Sequence, residues 1–304
     1  MSTAGKTVLL TGATGFLGSN LARKLLREGF KVAILKRSFS NTQRIDDIAK
    51  RLIQYDIDQN PLEKPFQELE EIDYVIHTAT CYGRSGEKRS DILETNTFFP
   101  LKLMDLVCKF NVTCFFNTDT VLTKYLNDYA FTKAHFREWG EYLSKKSFNL
   151  KFVNIRLEHI FGECDDVNKF VPYIITSCLN NNPEIKLTLG EQKRDFIYID
   201  DVVDGYIHLI NNLSKISESY QDIDLGSGKS VSIRSLVEMI HNITASQTDL
   251  VFGGIPYRQD EVMYSEANLQ CMSDLNWKPQ YTLEEGIDKT ISWYLRNKNQ
   301  ILDK

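Results

Sequence analysis

Short apolar segments alternate with amphipathic stretches along the first half of the chain. The apolar segments are nearly continuous, which is typical of strands that are covered on both faces. The first amphipathic stretch ends at Gly29, a helix stop. This alternation predicts an α/β fold with a Rossmann-type, doubly wound parallel sheet. The predicted strands are residues 7–11, 31–36, 51–56, 74–79, 114–118 and 152–157, and the predicted helices are residues 16–28, 91–110 and 128–146.

The pattern becomes mixed after Gly162. Further strands are predicted at residues 185–189, 195–199 and 222–225, and further helices at residues 200–213 and 283–296. We therefore expect two domains. Residues 1–164 and about 194–228 are predicted to form a Rossmann domain that binds a dinucleotide, and residues about 165–193 and 229–304 a smaller, mixed substrate lobe.

Three glycines, Gly12, Gly15 and Gly18, follow the first predicted strand and open the first predicted helix. The first permits a tight turn, the second lets the backbone approach a pyrophosphate, and the third lets the helix pack on the sheet. The helix N-terminus then faces the phosphates. A glycine-rich turn without a ligand is the alternative. The expected cofactor contacts in this loop are Gly12, Thr14, Gly15, Phe16 and Leu17.

The end of the second strand selects between the two nicotinamide dinucleotides. A carboxylate there would hold the ribose hydroxyls of NAD, whereas this chain has Lys36, Arg37 and Ser38. Two cations and a hydroxyl suit a 2′-phosphate, which predicts NADPH. An exposed basic turn is the alternative, because surface Lys and Arg are common. After the third strand, Asp56 and Ile57 are expected to contact the adenine, and a cap at the end of the strand is the alternative.

Tyr129 and Lys133 stand four residues apart in a predicted helix, so their side chains share one face. An ammonium beside a phenol lowers its pKa, which predicts a proton donor that works near neutral pH. Hydride transfer to a ketone needs such a donor. Two surface side chains are the alternative for this spacing taken alone. Thr118, at the end of the fifth strand, can hydrogen-bond a substrate oxygen beside Tyr129.

Two arginines in the second half, Arg194 and Arg258, are candidates for binding a substrate diphosphate. Arginine is the preferred bidentate partner of phosphate. Each of them taken singly is also a common solvated charge.

Charge and composition exclude several classes of protein. A net charge of −5 with no basic stripe argues against a nucleic-acid-binding protein. No apolar run approaches the length of a membrane span. Six cysteines and five histidines show no metal-ligand spacing, which predicts no metal site and reduced thiols in the cytoplasm. Residues 1–6 lead directly into the first strand, so no signal peptide is expected.

The motifs, taken in order, resemble the extended short-chain dehydrogenase/reductase family, in its NAD(P)-dependent nucleotide-sugar epimerase/dehydratase branch. The resemblance covers nearly the whole chain. It implies a catalytic set of Thr118, Tyr129 and Lys133, with Lys133 also holding the nicotinamide ribose. The motifs are TGATGFLG at residues 11–18, Asp56-Ile57, DYVIHTA at 73–79, Asn96, Thr118, Tyr129 with Lys133, RLEHIFG at 156–162, GEQKRDFIYIDDV at 190–202 and LNWKP at 275–279.

The resemblance also implies ligands and a partner. The nicotinamide cofactor is expected to contact Ala79, Thr80 and Asn96, as well as Tyr129 and Lys133. A nucleotide sugar is the implied substrate, and a second copy of the chain is the implied partner, forming a homodimer through the helices that carry Asn96 and Tyr129. The implied substrate contacts are Thr118, Asp119, His159, Arg194 and Arg258.

Departures from the family pattern bear on the reaction. Family 4,6-dehydratases carry a Glu base two residues after the catalytic hydroxyl, and this chain has Thr120. Epimerase-reductases of the kind that makes GDP-fucose carry a Cys/His pair at the positions of Thr120 and Cys164. His159 replaces a common Asn that orients the sugar. In these respects the chain is similar to the small 4-ketoreductases that complete deoxy and dideoxy sugars.

The sequence thus predicts an NADPH-dependent oxidoreductase. It is expected to reduce the C4 keto group of a nucleotide-linked 4-keto-6-deoxy or 3,6-dideoxy hexose, with CDP as the favoured nucleotide. One alternative is an NAD(P)-dependent nucleotide-sugar 4-epimerase or epimerase-reductase. Another is a binding protein that senses cofactor on a reductase fold.

Overall fold

The computed structural model describes residues 5–147 and 149–297, and the predicted domain ends at residues 1–4 and 298–304 lie outside them. The strands are β1 (Thr7–Thr11), β2 (Lys31–Lys36), β3 (Ile53–Asp56), β4 (Tyr74–His77), β5 (Cys114–Thr120), β6 (Lys151–Leu157), β7 (His159–Phe161), β8 (Glu184–Leu187), β9 (Lys193–Tyr198), β10 (Tyr220–Leu225), β11 (Ser230–Ser232) and β12 (Asp249–Phe252). The α-helices are α1 (Phe16–Arg27), α2 (Lys64–Glu68), α3 (Arg89–Leu93), α4 (Phe99–Lys109), α5 (Asp128–Lys146), α6 (Phe170–Leu179), α7 (Ile199–Asn211), α8 (Ile233–Thr244), α9 (Gln270–Asp274) and α10 (Leu283–Arg296).

The main sheet has seven strands in the order β10-β6-β5-β4-β1-β2-β3. The pairings β3–β2, β2–β1, β1–β4, β4–β5 and β5–β6 are all parallel. The strand order reverses between β1 and β4, which is the point where ligands bind in doubly wound sheets. The structure therefore confirms the predicted α/β, Rossmann-type fold with smaller mixed sheets besides.

The chain divides into two compact units. The first includes the described residues up to Leu157 and then Val203–Asp224. The second includes Glu158–Val202 and the described residues from Leu225 onward. It contains a three-stranded sheet in the order β11-β9-β7 and a two-stranded sheet of β12 and β8. Which ligand each unit binds stays a prediction.

The core of the first unit lies between the sheet and its helices, and it fixes where α5 lies. Phe115 of β5 stacks on Phe152 of β6, with ring centroids 5.5 Å apart. Phe136 of α5 meets the Phe115 ring edge-on at 5.6 Å. A Cβ on Gly140 would lie 2.2 Å from the Phe152 ring, so only glycine lets α5 approach the sheet this closely. Close packing of this kind holds the inner face of α5 against β5 and β6.

Local signals explain where several helices begin. Helices α5 and α10 have the predicted bounds at both ends. The Asn127 side chain caps α5 by accepting the N–H of Ala130 at 2.8 Å. A reciprocal capping box between Thr282 and Glu285 begins α10.

One helix was predicted at residues 91–110. In the structure this region is divided into α3, a π-helical turn at Glu94–Phe98, and α4. The π turn places two consecutive side chains against α5: Asn96 Nδ2 donates to Thr132 Oγ1 at 3.1 Å, and Thr97 Oγ1 donates to the Thr132 carbonyl at 2.8 Å. Such turns are frequent at functional sites.

Within the described residues, every helix is too short or too polar to cross a membrane.

Candidate active site

The glycine loop after β1 packs against the end of β4. Gly12 has a φ of +70°, and a Cβ there would lie 2.6 Å from the Ala79 nitrogen. A Cβ on Gly18 would lie 2.2 Å from the Gly12 carbonyl oxygen. Both positions therefore require glycine, one for its backbone conformation and both for close packing.

Helix α1 begins directly after this loop. Its N-cap, Gly15, is extended and offers no side-chain cap, and the first turn contains no acidic residue. The N–H groups of a first helical turn have no carbonyl partner within the helix, so this end favours an anion. The residues around it, Thr14, Gly15, Phe16 and Leu17, therefore fit the pyrophosphate of a dinucleotide. Their contact with a cofactor stays a prediction.

The ends of β1 and β4 are joined through Thr11. Its hydroxyl oxygen accepts the backbone N–H groups of Thr78 and Ala79, both at 3.2 Å, and lies 2.8 Å from His77 Nδ1. The Thr11 proton is therefore donated to Nδ1. Burial lowers the pKa of His77 well below its ordinary value, and the nearby Lys133 adds to the effect. His77 is thus a neutral core residue among three phenylalanine rings.

At the end of β2, the residues that were predicted to select the cofactor lie beside carboxylates. Lys36 Nζ pairs with the Asp56 carboxylate. The Ser38 hydroxyl donates to Asp58 Oδ2 at 2.6 Å, and the Ser38 N–H donates to Asp58 Oδ1 at 2.8 Å. This corrects the expectation that no acid stands at this position. The parallel pairing of Lys36 with Asp56 brings the carboxylate two residues further on, Asp58, beside Ser38.

Two other predicted contacts at this strand end differ in exposure. Arg37 is exposed, and its guanidinium lies over the Phe39 ring at 4.8 Å. Ile57 is half-buried, and its N–H donates to the Lys36 carbonyl at 2.9 Å. A 2′-phosphate would thus meet one exposed guanidinium, one paired ammonium and one nearby carboxylate.

Asn96 joins the loop after β4 to α5. Its Oδ1 accepts the Cys81 N–H at 2.8 Å, and its Nδ2 donates to the Cys81 carbonyl at 2.9 Å. Thr80 Oγ1 donates to the same Oδ1 at 3.1 Å. With Thr132 on the other side, the buried amide has partners within the protein. These bonds assign Asn96 a positioning role, and its contact with a cofactor stays a prediction.

The structure brings two of the predicted catalytic residues into contact. Lys133 is buried, and its Nζ donates to the Thr118 carbonyl at 2.5 Å. Thr118 and Tyr129 are half-buried, one near the end of β5 and the other in the first turn of α5. The Tyr129 hydroxyl bonds to the hydroxyl of Thr120, the last residue of β5 and two residues after Thr118.

The pKa of Tyr129 corrects one expectation. Burial raises it well above its ordinary value, Tyr82 and Asp119 act in the same direction, and a hydrogen bond with the Thr120 hydroxyl opposes them. The pKa therefore rises, although a lowering by Lys133 was predicted, because burial prevails and the ammonium bonds to the Thr118 carbonyl. Tyr129 is consequently protonated at neutral pH and can donate its proton.

Lys133 has the opposite shift. Burial lowers its pKa from 10.5 to about 8, and the charge of Asp119 partly offsets this effect. The ammonium is therefore charged at neutral pH and loses its proton under mildly alkaline conditions.

Asp119 is buried in a polar network inside the sheet. Its Oδ2 accepts Asn154 Nδ2 at 3.0 Å and lies 3.4 Å from an Arg137 nitrogen. The other Asn154 contacts are the Asn117 amide, which donates to it at 2.7 Å, and the Asp222 carboxylate, which accepts from it at 2.7 Å. These bonds orient Asp119 toward the protein interior, so its predicted contact with a substrate has no support from this geometry.

The second unit contains the remaining predicted substrate contacts. Arg194 donates to Glu261 Oε1 at 2.6 Å, with both side chains mostly buried. Arg258 is exposed and close enough to lower the pKa of Arg194, although burial is the larger cause. His159 Nδ1 lies 3.2 Å from Glu158 Oε2, and its ring packs near Phe196. Arg194 thus has a carboxylate partner, and its binding to a diphosphate stays a prediction.

Sequence analysis missed three residues at this site. Tyr206 of α7 is buried, with its hydroxyl 2.7 Å from Thr118 Oγ1. The Tyr82 ring, in the loop after β4, lies 5.1 Å from the Tyr129 ring, and Arg84 lies over Tyr82. The spacing of Tyr206 from Thr118, 88 residues, gives no local signal. The loop residues follow a recognisable strand end, which is where binding residues concentrate.

The part of the chain that the structure describes contains no cluster of three or more His, Cys, Asp or Glu side chains suited to a metal ion.

Comparisons with known proteins identify the family of the chain. The sequence model of the NAD dependent epimerase/dehydratase family matches residues 8–226. CDP-abequose synthase from Salmonella muenchen is 33% identical over 298 residues, covering 96% of this chain and 99% of that protein.

Solved structures share the fold. UDP-glucose 4-epimerase from Thermotoga maritima, with UDP-glucose, has a TM-score of 0.81 at 21% identity and covers 96% of this chain and 99% of its own. The Bordetella bronchiseptica enzyme WbmF, in complex with NAD+, has a TM-score of 0.82 at 22% identity and covers 100% of this chain and 96% of its own. The family match includes the glycine loop, Thr118, Tyr129 and Lys133. The chain therefore belongs to the NAD dependent epimerase/dehydratase family.

Proposed function

We propose that this enzyme reduces the C4 keto group of a nucleotide-linked 4-keto-6-deoxy or 3,6-dideoxy hexose with NADPH, and that CDP is the favoured nucleotide. The observation that carries the proposal is the convergence of Thr118, Tyr129 and Lys133 at the end of β5. Similarity to a CDP-abequose synthase over nearly the full length supports the substrate class.

Each catalytic side chain has a distinct task in this reaction. The bound nicotinamide supplies the hydride. Tyr129 is protonated because burial raises its pKa, and it gives its proton to the C4 oxygen. The Thr118 hydroxyl donates a hydrogen bond to the same oxygen while negative charge develops there. The Lys133 ammonium holds the Thr118 carbonyl and adds positive charge nearby.

The choice of NADPH rests mainly on Arg37. Its guanidinium is exposed at the end of β2, where a 2′-phosphate would lie. Lys36 and Ser38 are beside it, and we propose that they exchange part of their contact with Asp56 and Asp58 for the phosphate. Asp56 and Ile57 would then contact the adenine, and Ala79, Thr80 and Asn96 would support the nicotinamide half.

We propose that three residues of the second unit, His159, Arg194 and Arg258, bind the nucleotide sugar. Arg258 would bind the diphosphate first, because it is exposed. Arg194 would join it by exchanging Glu261 for phosphate oxygens. His159 would contact the sugar.

Two residues that depart from the family pattern, Thr120 and Cys164, indicate a reduction without proton exchange at C3 or C5. Thr120 has a hydroxyl at the position where a dehydratase has a Glu base, and that hydroxyl bonds to Tyr129. Cys164 occupies the position of a second acid/base group in epimerase-reductases. We therefore propose one chemical event, hydride transfer to C4 with protonation of the oxygen.

A direct experiment is to incubate the enzyme with NADPH and a panel of CDP-, dTDP- and GDP-linked 4-keto sugars. One NADPH should be oxidised per sugar reduced. NADPH deuterated on the transferred face should place one deuterium at C4, and D₂O should place none at C3 or C5 beyond the rate of a control without enzyme. Enzyme-dependent deuterium at C3 or C5, or product without NADPH oxidation, would refute the proposal.

A 4-epimerase is the second candidate, and the Asp58 carboxylate beside Ser38 favours it. A carboxylate at the end of β2 or β3 suits the ribose hydroxyls of NAD. In that case the enzyme would interconvert two nucleotide sugars without net cofactor consumption. An incubation with the corresponding 4-hydroxy nucleotide sugars and NAD+ distinguishes the two, since only an epimerase forms the C4 epimer with no net change in cofactor absorbance.

We also propose that the enzyme is a homodimer. Phe131, Trp139 and Tyr142 form an exposed aromatic stripe on α5, and Phe98 is exposed in the neighbouring π turn. An aromatic helix face of this kind is typical of an interface. Sedimentation should show a dimer that Trp139→Glu dissociates and Leu295→Glu, an exposed apolar position on α10, does not. A wild-type monomer would refute this assignment.

A further inference from the structure

Tyr206 is a fully buried tyrosine that the proposed chemistry does not yet use. It has an exposed fraction of 0% and lies on the part of α7 that belongs to the first unit. A buried phenol needs a hydrogen-bond partner, because an unsatisfied hydroxyl in the interior is costly. Its partner is Thr118, whose Oγ1 lies 2.7 Å from the Tyr206 hydroxyl oxygen.

The alternation of side chains along β5 separates this contact from the network around Asp119. Thr118 and Thr120 lie on one face of the strand, and Asn117 and Asp119 lie on the other. Asp119 bonds to Asn154 and Arg137, whereas the Thr118 hydroxyl meets Tyr206. Tyr206 is therefore a polar neighbour of the Thr118 side chain but not of Asp119.

The direction of the hydrogen bond decides what Thr118 can do. A threonine hydroxyl has one proton. If Thr118 donates this proton to Tyr206, it cannot donate it to a substrate oxygen. Burial raises the pKa of Tyr206 well above its ordinary value, so Tyr206 keeps its own proton. A phenol is also the stronger donor of the two groups, which favours donation from Tyr206 to Thr118.

We propose that Tyr206 is a positioning residue: it donates its hydroxyl proton to Thr118 Oγ1 and so directs the Thr118 proton toward the C4 oxygen of the substrate. Consecutive hydrogen bonds of this kind polarise one another, so the Thr118 hydroxyl becomes a better donor. The inference rests on the proposed reduction for its kinetic consequence. Its structural part, the direction of the hydrogen bond, can be tested without any enzymatic turnover.

The kinetic test begins with Tyr206→Phe, which keeps the ring and removes the hydroxyl. We expect kcat for the keto sugar to fall about 10-fold, the size of one lost hydrogen bond, with the NADPH dissociation constant and KM little changed. The matched control is Tyr74→Phe. Tyr74 is another buried tyrosine, and its hydroxyl accepts from Lys6 at 2.6 Å at the opposite end of the sheet. Its removal should leave kcat unchanged.

Variants of Thr118 show whether Tyr206 acts through that residue. In a Thr118→Val background, Tyr206→Phe should change kcat by less than about 2-fold, because the hydroxyl that it orients is gone. In a Thr118→Ser background it should cost more than in the wild type, since serine is less restricted about χ1 than threonine. Equal factors in the wild-type and Val backgrounds would overturn the proposal. A fall in kcat no larger than that of Tyr74→Phe would overturn it too.

A measurement on the protein alone separates this inference from the proposed function. The Tyr206 hydroxyl proton is expected as a slowly exchanging NMR resonance, assigned by its loss in Tyr206→Phe. It should move upfield in Thr118→Val, where no acceptor remains for it. An unmoved resonance would overturn the inference even if the enzyme reduces keto sugars. Conversely, a shift in an enzyme that reduces no keto sugar would refute only the proposed function.

Discussion

Two strand ends of the same sheet contain the predicted chemistry, and they are built differently. At the end of β5, Lys133 is buried and bonds to the backbone of Thr118, and burial shifts its pKa. At the end of β2, Arg37 and Ser38 are exposed. There Lys36 pairs with Asp56 and Ser38 donates a hydrogen bond to Asp58, two carboxylates from the neighbouring strand end.

The two strand ends differ in how easily their polar groups can exchange one partner for another. A buried polar group has few available partners, and losing one costs the full desolvation of the group. Exposed charged and polar groups are screened by water and salt, so a single contact among them is worth little and can be exchanged for a contact with a ligand. We therefore expect variants at the end of β5 to have large effects on chemistry, and variants at the end of β2 to have small effects on cofactor choice.

The largest effect is expected from Tyr129→Phe. The ring contact with Tyr82 at 5.1 Å is kept, and only the proton donor is lost. We expect kcat to fall by about 10²–10⁴, the usual contribution of a general acid, with cofactor affinity little altered. Steady-state kinetics and a cofactor titration measure both. Tyr173→Phe, which removes an exposed hydroxyl from α6, is the control and should be silent. Near-normal turnover by Tyr129→Phe would show that the two strand ends do not differ as described.

The second effect is a pH dependence of stability caused by Lys133. Its pKa is about 8 in the folded protein and 10.5 in the unfolded chain. Between these values the unfolded chain binds more protons, so the free energy of unfolding rises with pH. Below about pH 8 the charged, buried ammonium destabilises the fold, by up to about 3 kcal/mol relative to the neutral amine.

Urea unfolding of the protein without added cofactor, from pH 7 to pH 10, tests this effect. The wild type should gain stability over this range relative to Lys133→Met, which has no group to titrate. Lys102→Met, an exposed lysine on α4, should follow the wild type. Parallel curves for wild type and Lys133→Met would mean that Lys133 is not desolvated in the way that its burial indicates.

Sequence reasoning predicted best where packing or capping leaves one solution. Helix α5 has the predicted bounds because Asn127 caps its start and its inner face is packed against the sheet. The glycine loop is fixed by contacts that no Cβ allows. Lys133 bonds to Thr118, and Tyr129 lies beside Thr120, because the first turns of α5 pack next to the end of β5. The end of β5 was therefore predictable from spacing and element order.

What could not be predicted depends on residues that are distant in sequence or weak in pattern. Asp58 reaches Ser38 only through the parallel pairing of β2 with β3. Tyr206 reaches Thr118 only through the packing of α7. The raised pKa of Tyr129 depends on the depth of burial, which periodicity does not give. Sequence analysis also missed α8, although its Ser232 cap is a start signal.

A smaller effect is expected at the end of β2. We predict that NADPH binds about 10-fold more tightly than NADH, which is the size of one well-placed charged contact. Arg37→Ala should remove most of this preference and leave NADH affinity nearly unchanged. Titration of both cofactors measures it, with Lys31→Ala, an exposed cation at the other end of β2, as the control. Equal affinities of the wild type for both cofactors would exclude Arg37 as a selector and favour the epimerase.

The smallest predicted effect is also the one that separates the two cofactors most directly. Hydrogen bonds from Ser38 hold the pKa of Asp58 below its ordinary value, so a full negative charge faces the place where a 2′-phosphate would bind. Asp58→Asn keeps an acceptor for the Ser38 hydroxyl and removes that charge. We expect NADPH affinity to rise about 3-fold, because the repulsion is between exposed, screened charges. NADH affinity should stay the same or fall slightly. Glu71→Gln, an exposed acid before β4, makes the same change in net charge and should alter neither affinity. A loss of NADH binding larger than the gain for NADPH would mean that Asp58 holds the ribose hydroxyls, and the end of β2 would then be an NAD site.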